Sequence, residues 1–407
     1  MGKKILILTS QKSGGGHRSS SNAIKTEIFK GTDNVDVKDV DAMEFMPGYT
    51  GEESGYTAFT TRYRIFWKLF FECTSIFYRV SNFFLYKTIF KRCKKLIDEY
   101  QPDIILSVNP CFVGSVKKCL KKMKLDTPFC VCIIDLVKHS RLWWEKESDI
   151  TFVPTRKMYN LLLRKGFKES RLVHSGFPIG DQFGHQSKLP SKQSEGDGSM
   201  FTSVVQQVTK SSVVHQLGRF GDLAKPIVGD EKVANVLMVN ASLCGNEANL
   251  ALIKAVLMYP VSLTVVTGNN VYLKDYLTEM LSGVENVTIL GYTHEMVKLL
   301  GNADVLVTKA GPNMILEAVK MCVPVLITGH ILGQEEKNYQ YIVEHGYGFV
   351  CESPKKLQVV LGMLFENDYK LLKQISHNQQ NCTDLDGAKV VAEHLLKKVL
   401  ENGDNHV

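Results

Sequence analysis

The chain has 407 residues, of which 44% are hydrophobic and 22% are charged, and its formal net charge is +7. This balance predicts a soluble globular protein, and the length exceeds what one hydrophobic core usually supports, so we expect two domains. The modest net charge does not by itself indicate a nucleic-acid-binding protein. No segment offers about 20 uncharged apolar residues, and the N-terminal apolar run is too short for a signal peptide, so neither secretion nor membrane spanning is expected.

The ten cysteines lie scattered along the chain and form no CxxC pair. Cys130 and Cys132 fall within an apolar, strand-like run, where burial is the simplest explanation. We therefore expect reduced thiols in a cytoplasmic protein.

A glycine turn is the first chemical motif in chain order. The apolar residues 5–8 are followed by SGGGHRSSS at residues 13–21, a pattern typical of a strand that passes into a helix. The glycines would let backbone N–H groups approach an anion or a sugar, and His17 lies where a general base would be useful. Such turns also occur simply to close a tight βα connection, and the spacing matches neither the dinucleotide fingerprint nor a P-loop.

Residues 62–95 combine basic and aromatic side chains. They contain nine Lys or Arg, eleven aromatic residues and one acid, Glu72. This composition is typical of a protein that lies on an anionic membrane surface, although a pair of core helices with snorkelling lysines would also show it. Single-stranded nucleic acid is a rival partner, but bases are usually bound by strands or grooves and no other feature supports it. We predict membrane docking and no nucleic acid.

Short apolar runs bounded by Gly, Pro and Asn predict buried parallel strands that alternate with helices. A region rich in Ser, Gln, Lys and Gly at residues 184–232 interrupts the alternation and predicts a linker with an insertion. We therefore expect an N-terminal domain at 1–183 and a C-terminal domain at 233–407 that includes a terminal helix at 384–400. The predicted strands are residues 4–9, 104–108, 129–134, 236–239, 263–266, 287–290, 305–308 and 323–328.

The segment GYTHEMVKLLGNADVLVTKAGPNMILEAVKMCVPVLITGHILGQEEKN, which begins at Gly291, is the most specific in the chain. A predicted strand ends at Thr308, and the helix after the next turn carries Glu317. A carboxylate near a helix N-terminus can accept both hydroxyls of a ribose while backbone amides face its phosphates, or it can stabilise its own helix. The loop at 329–338 groups amides and carboxylates that suit a sugar's hydroxyls, or that simply begin an exposed helix. Its chief candidates are Gln334 and Glu335.

Two DxD strings, at residues 39–41 and 384–386, have the pattern that metal-dependent sugar transfer uses. Neither lies near the segment that begins at Gly291. The first continues an alternating strand and the second opens the terminal helix, so we expect cap or surface roles. We predict that the chain holds no metal.

Together these motifs resemble the monogalactosyldiacylglycerol synthase and processive diacylglycerol glucosyltransferase group of glycosyltransferase family 28. That group is related to the GlcNAc transferase of peptidoglycan lipid assembly. The resemblance implies an α/β protein of GT-B fold, with two Rossmann-like domains facing a central cleft. It implies that the C-terminal half binds a UDP-sugar and the N-terminal half a lipid. Besides the GGGH turn and the segment from Gly291, it is carried by PDIILSVNP at 102–110, IIDLVKHSRLW at 133–143, DITFVPT at 149–155 and HSGFPI at 174–179.

The resemblance also implies roles for individual residues. His17 would be the base that activates the acceptor hydroxyl, and Glu317 would hold the uridine ribose. Gln334 and Glu335 would contact the donor sugar. Tyr292 would border the uracil, unless it is an ordinary buried tyrosine at a strand end. The other candidates are Lys309, Ala310, Gly311 and Asn313 beside the diphosphate, and Gly14, Gly15, Gly16, Asp135 and His139 on the acceptor side.

The implied function is an inverting transfer of glucose or galactose from UDP-glucose or UDP-galactose to diacylglycerol. The UDP-sugar would be a co-substrate, with no cofactor, and the protein would be peripheral on the inner face of the cell membrane. Two departures from the family, Lys-Ala-Gly-Pro at 309–312 and the loss of a glycine cluster at 239–245, open an alternative. A catalytically weakened relative would serve as a nucleotide-sugar or lipid sensor or scaffold. Retention of His17, Glu317 and the pair at 334–335 favours the enzyme.

Overall fold

A computed structural model describes residues 2–10, 15–46, 63–184, 233–239 and 245–401. These residues fall into two compact units, each built on a parallel β-sheet. The α/β class and the presence of two domains are therefore confirmed. The predicted linker at 184–232 lies outside the described residues except for Gly184. The N-terminal unit comprises Met1–Asp181, Leu332–Gln334 and Thr383–Val407, and the C-terminal unit comprises Gln182–Ile331 and Glu335–Cys382.

The described sheet of the N-terminal unit has six parallel strands in the order β2-β1-β3-β4-β5-β6. Its central strands are short and apolar because helices cover both faces of a parallel sheet, so every side chain along them is buried. Residues 5–8 of β1 are at most 1% exposed. The strands are β1 Lys3–Thr9, β2 Val35–Asp41, β3 Ile104–Ser107, β4 Phe129–Cys132, β5 Ile150–Val153 and β6 Leu172–His174.

The helices of this unit follow the strands as βα connections. Gly15 precedes the first helix with a φ of 73°, a left-handed conformation that favours glycine. Residues 64–100, which include most of the basic aromatic stretch, form two consecutive helices. The helices are α1 Gly16–Gly31, α2 Arg64–Ile76, α3 Tyr78–Tyr100, α4 Val113–Met123 and α5 Arg156–Arg164, with 3-10 turns at Ala42–Phe45, Pro110–Phe112, Arg141–Trp143 and Glu169–Arg171.

The C-terminal unit repeats this architecture with the strand order β12-β11-β10-β7-β8-β9, again parallel in its described part. Apolar side chains from the sheet and its helices form one buried cluster that includes Val236, Leu263 and Leu361. The strands are β7 Ala234–Val239, β8 Val261–Val266, β9 Val287–Leu290, β10 Val305–Lys309, β11 Val325–Gly329 and β12 Gly348–Val350. The helices are α6 Asn246–Val256, α7 Val271–Met280, α8 Met296–Asn302, α9 Pro312–Lys320, α10 Asn338–Glu344, α11 Pro354–Phe365 and α12 Lys370–Gln380.

The terminal helix, α13 Gly387–Glu401, departs from the predicted domain boundaries. The sequence assigns it to the C-terminal domain, but it belongs to the N-terminal unit, where it packs against α1. That assignment was therefore wrong. The apolar face of α13 covers an apolar stripe of α1, and a pairing so distant in sequence leaves no local pattern to detect.

The turn before α13 is fixed to the strand-loop segment that follows β6. The Phe177 amide donates to the Asp384 carbonyl at 2.8 Å, and His174 Nε2 donates to Asp384 Oδ1 at 2.9 Å. Gly176 has a φ of 81°, and a Cβ there would lie 2.9 Å from the Asp384 carbonyl carbon. A glycine is thus required where the two backbones meet.

None of the helices in the described ranges is both long enough and apolar enough to cross a bilayer.

Candidate functional site

His17 lies in the first turn of α1, at the carboxyl end of β1. Its Nδ1 atom lies 2.7 Å from the carbonyl oxygen of Val108, which directly follows the neighbouring strand β3. Because a carbonyl oxygen only accepts hydrogen bonds, Nδ1 must be the protonated nitrogen, and Nε2 carries the lone pair. Burial lowers the pKa of His17 from its ordinary value, against the Val108 hydrogen bond and the charge of Asp41, which raise it. The imidazole is therefore neutral near pH 7 and suited to accept a proton.

The glycines before His17 are only partly described. Gly15 adopts the left-handed conformation, and apart from its chain neighbours no described residue has an atom within 4 Å of the place where a Cβ would lie. Gly16 begins α1. Gly14 lies outside the described residues. That these glycines make room for an acceptor head group stays a prediction.

Asp135 and His139 follow β4, and two neighbouring tryptophans hold them in place. Trp143 Nε1 donates to Asp135 Oδ2 at 2.8 Å, and Trp144 Nε1 donates to His139 Nε2 at 2.9 Å. Burial lowers the pKa of His139 to about 4, so the ring is neutral with the Nε2 lone pair already engaged. His139 is therefore a fixed part of the segment rather than a second base. Sequence analysis did not assign a role to either tryptophan, although Trp143 ends the IIDLVKHSRLW motif and Trp144 directly follows it.

In the C-terminal unit, the turn after β10 contains the residues predicted to bind diphosphate. A Cβ on Gly311 would lie 2.9 Å from Lys309 Nζ, the end of a flexible side chain that can move aside. Pro312 occupies the first turn of α9, where its missing N–H removes no helical hydrogen bond. Asn338 Nδ2 donates to the Ala310 carbonyl at 2.9 Å and ties this turn to the start of α10. Asn313 is half-buried on the first turn of α9.

Glu317 is buried on α9. It is the sixth of nine helical residues, one to two turns beyond the helix N-terminus. Its assignment to the ribose stays a prediction.

An ion pair joins two of the predicted donor-binding residues. Lys309 Nζ lies 2.5 Å from Glu335 Oε1, while the Ile331 amide donates to Glu335 Oε2 at 2.8 Å. Both oxygens of this buried carboxylate thus accept hydrogen bonds, so Glu335 braces its own loop as well as the lysine. Gln334, the other residue predicted to contact the sugar, is half-buried and falls in the N-terminal unit.

Tyr292 follows β9 and is 59% exposed, with an edge-on ring contact to His294 at 4.9 Å between centroids. The alternative of an ordinary buried tyrosine is therefore wrong. Of the altered segment at 239–245, residues 240–244 lie outside the described part of the chain.

Comparison with known proteins identifies the family. The model of monogalactosyldiacylglycerol (MGDG) synthase matches residues 17–179, and the model of the glycosyltransferase family 28 C-terminal domain matches residues 237–395. A probable chloroplastic monogalactosyldiacylglycerol synthase of Glycine max is 30% identical over 387 residues, covering 92% of this chain and 68% of that protein. The chain belongs to the monogalactosyldiacylglycerol synthase family.

Two further proteins are similar to this chain at lower sequence identity. A processive diacylglycerol beta-glucosyltransferase of Staphylococcus aureus is 24% identical over 299 residues, covering 74% of this chain and 68% of that protein. The solved structure of a UDP-glucosyltransferase from Polygonum tinctorium superposes with a TM-score of 0.55 at 12% identity, covering 98% of this chain and 99% of the other. The predicted GT-B fold is thereby confirmed.

In this member of the family, the paired aspartates have structural partners. Asp41 accepts from the Met43 amide at 3.1 Å and caps the following 3-10 turn, and Asp39 pairs with Lys25 at 3.3 Å. Asp384 pairs with His174. Within the described ranges, no group of three or more His, Cys, Asp or Glu side chains could hold a metal ion. That this protein works without a metal ion stays a prediction.

The basic aromatic stretch exposes much of its apolar surface. Phe66 and Phe70 on α2 are more than half exposed, whereas Phe71 is buried. A pair of core helices would bury these rings, so that alternative is wrong for the described residues. Membrane docking stays a prediction, and the exposed large apolar residues that support it are Tyr63, Ile65, Phe66, Leu69, Phe70, Ile76, Phe77, Val80, Phe83 and Phe84.

Proposed function

We propose that this family member is an inverting glycosyltransferase that moves a hexose from a UDP-sugar to diacylglycerol. Family membership supports the reaction class, and the hydrogen bond of His17 to Val108 supports the catalytic step. The neutral imidazole takes the hydroxyl proton of the lipid on Nε2 as that oxygen bonds to the anomeric carbon. The bond from the anomeric carbon to the diphosphate breaks, and UDP leaves with the electron pair. A single displacement of this kind inverts the anomeric centre.

The departing UDP gains negative charge, which the C-terminal unit is suited to stabilise. The turn at residues 309–311 leads into the N-terminus of α9, where the backbone amides of the first turn and the helix dipole favour an anion. Lys309 adds a positive charge beside them, although its ion pair with Glu335 partly neutralises that charge. We infer that Glu317 holds the ribose and Tyr292 borders the uracil.

We infer that the protein works at the surface of an anionic membrane. Diacylglycerol resides in the bilayer, and the exposed apolar side chains of α2 and α3 are interleaved with Lys and Arg. Docking through residues 62–95 on the inner face of the cell membrane would bring the lipid hydroxyl to the N-terminal unit.

The donor is UDP-glucose or UDP-galactose. The relatives include one named a galactosyl transferase and one named a glucosyl transferase. No described contact of Gln334 or Glu335 distinguishes two sugars that differ at one hydroxyl.

The decisive experiment measures glycolipid formation from radiolabelled UDP-glucose or UDP-galactose on vesicles containing diacylglycerol. We expect product from at least one donor. His17→Ala should lower the rate roughly 10²- to 10⁴-fold, the usual contribution of a general base. His377→Ala, at an exposed histidine on α12, is the matched control and should retain the full rate.

Two results would count against the proposal. No glycolipid from either donor, with binding of UDP intact, would favour the sensor or scaffold. Full activity of His17→Ala would remove His17 as the base.

A further inference from the structure

Residues 133–144 occupy a defined place in the N-terminal sheet. They leave the carboxyl end of β4, and β4 lies beside β3, which lies beside β1. The 3-10 turn Arg141–Trp143 packs against the turn Pro110–Phe112, which closely follows Val108. Because parallel α/β sheets bind ligands at the carboxyl ends of their strands, this segment borders the same edge as His17. We call it the acceptor segment.

The inner face of α2 holds the acceptor segment through side-chain contacts. Glu72 Oε1 lies 2.5 Å from Lys138 Nζ, and Ser75 Oγ accepts from the Arg141 amide at 3.0 Å. Lys138 Nζ also lies 5.8 Å from the centroid of the Phe71 ring. Residues 71 and 72 lie four and three positions before residue 75, which places both beside Ser75 on the helix surface. The contacts therefore act as one clamp, to which Glu72 contributes the charge.

The position of Glu72 is informative because it is the one acid in residues 62–95. An acid on a surface that docks to anionic lipid would weaken the attraction. Glu72 instead pairs with Lys138, a residue outside the basic stretch, and both side chains are partly buried. Its role is thus explained by the acceptor segment rather than by the membrane surface.

The start of α3 reinforces the same segment. The ring of Tyr78 contacts that of Trp144 edge-on, with centroids 6.0 Å apart. Trp144 in turn donates to His139. The side chains that fix the segment therefore come from the two helices whose outer faces are exposed and apolar.

We propose that Glu72 and Ser75 are positioning residues for the lipid acceptor. They fix the acceptor segment to α2, the helix that would face the membrane. A diacylglycerol that enters along α2 then meets an ordered acceptor segment at the same sheet edge as His17. This inference rests on the proposed function. Loss of the clamp should weaken use of the lipid while leaving the binding of UDP and of vesicles intact.

The test compares Glu72→Gln, Ser75→Ala and Lys138→Met with the wild type and with Glu99→Gln. Glu99 is an exposed acid on α3 paired with Lys95, and serves as the matched control. We expect the two charge variants to raise KM for diacylglycerol about 3- to 10-fold, the scale of one typical hydrogen bond in a partly exposed pair. The Ser75→Ala variant should raise it less. The UDP Kd from calorimetry and the vesicle-bound fraction from flotation should stay within about twofold.

Rescue separates positioning from a general loss of structure. The reversed pair, Glu72→Lys with Lys138→Glu, should return KM for diacylglycerol to within about threefold of wild type, since the ion pair re-forms. Unchanged KM in both charge variants, with an active wild type, would overturn the inference and leave the proposed function standing. Parallel losses in UDP binding and thermal midpoint, unrescued by the reversed pair, would show a structural role and overturn it as well. A wild type that makes no glycolipid would instead remove the proposed function.

Discussion

At the scale of single residues, a backbone carbonyl group determines which ring nitrogen of His17 carries the proton. Many catalytic histidines are oriented by a carboxylate, which can itself change charge. Here the Val108 carbonyl fixes the tautomer, and it does not titrate. Burial then lowers the pKa of the ring, which keeps Nε2 unprotonated.

This arrangement predicts the pH dependence of sugar transfer. The neutral ring is the active form, and its pKa lies below the ordinary 6.5, so kcat/KM should be level near pH 7 and fall only below pH 6.5. Initial rates between pH 5 and 8, at low diacylglycerol, measure the profile. The residual rate of His17→Ala should lack this acid limb. A limb centred above pH 6.5 would contradict a buried, neutral base.

At the scale of elements, α2 has two different faces. Its inner face carries Phe71, Glu72 and Ser75 against the acceptor segment, while its outer face leaves Leu69 and Phe70 exposed. A helix that only completed a core would have a solvated polar outer face. The exposed apolar face is therefore consistent with the proposed docking to a membrane surface.

The outer face should carry the membrane affinity. Burying an exposed Leu or Phe side chain is worth roughly 1.5–3 kcal/mol, so Leu69→Ser with Phe70→Ser should lower partitioning onto anionic vesicles by at least about tenfold. Phe29→Ser, at an exposed phenylalanine on α1, is the control and should bind as wild type does. Flotation with anionic and neutral vesicles measures both. Equal binding to the two vesicle types would argue against a contribution from the basic residues.

At the scale of the whole molecule, the N-terminal unit is discontinuous in sequence. It takes its sheet from the first half of the chain and α13 from residues beyond 382. Val391, Leu395 and Val399 are buried along α13, whereas Leu400 is exposed. The helix is thus part of the core of this unit.

Unfolding experiments can report this membership directly, because Trp67, Trp143 and Trp144 all lie in the N-terminal unit. Leu395→Ala should lower the free energy of unfolding detected by tryptophan fluorescence in urea by about 2–5 kcal/mol, the usual cost of such a cavity. Leu400→Ala should change it by less than about 0.5 kcal/mol. An unchanged tryptophan transition in Leu395→Ala would place α13 elsewhere.

Sequence patterns predicted most of the strands, and residues 287–290 coincide with β9. They missed β5, β6 and β12, because strands of three or four residues contain little alternation. At the site, His17 and the Lys309–Glu335 segment were found as motifs. The partner of His17, Val108, was not found, because it lies 91 positions away and a backbone carbonyl has no sequence signature. The pairing of Lys309 with Glu335 was not predicted either, because the two residues lie 26 positions apart in the sequence.

The return of α13 to α1 also bears on how the protein is made. α1 emerges from the ribosome about 350 residues before the helix that covers it. At roughly 5–20 residues per second, its apolar stripe waits on the order of 20–70 s for its partner. Once synthesis passes His174, all described strands of this unit's sheet are present while the stripe on α1 stays uncovered. Completion of this unit is therefore tied to synthesis of the other.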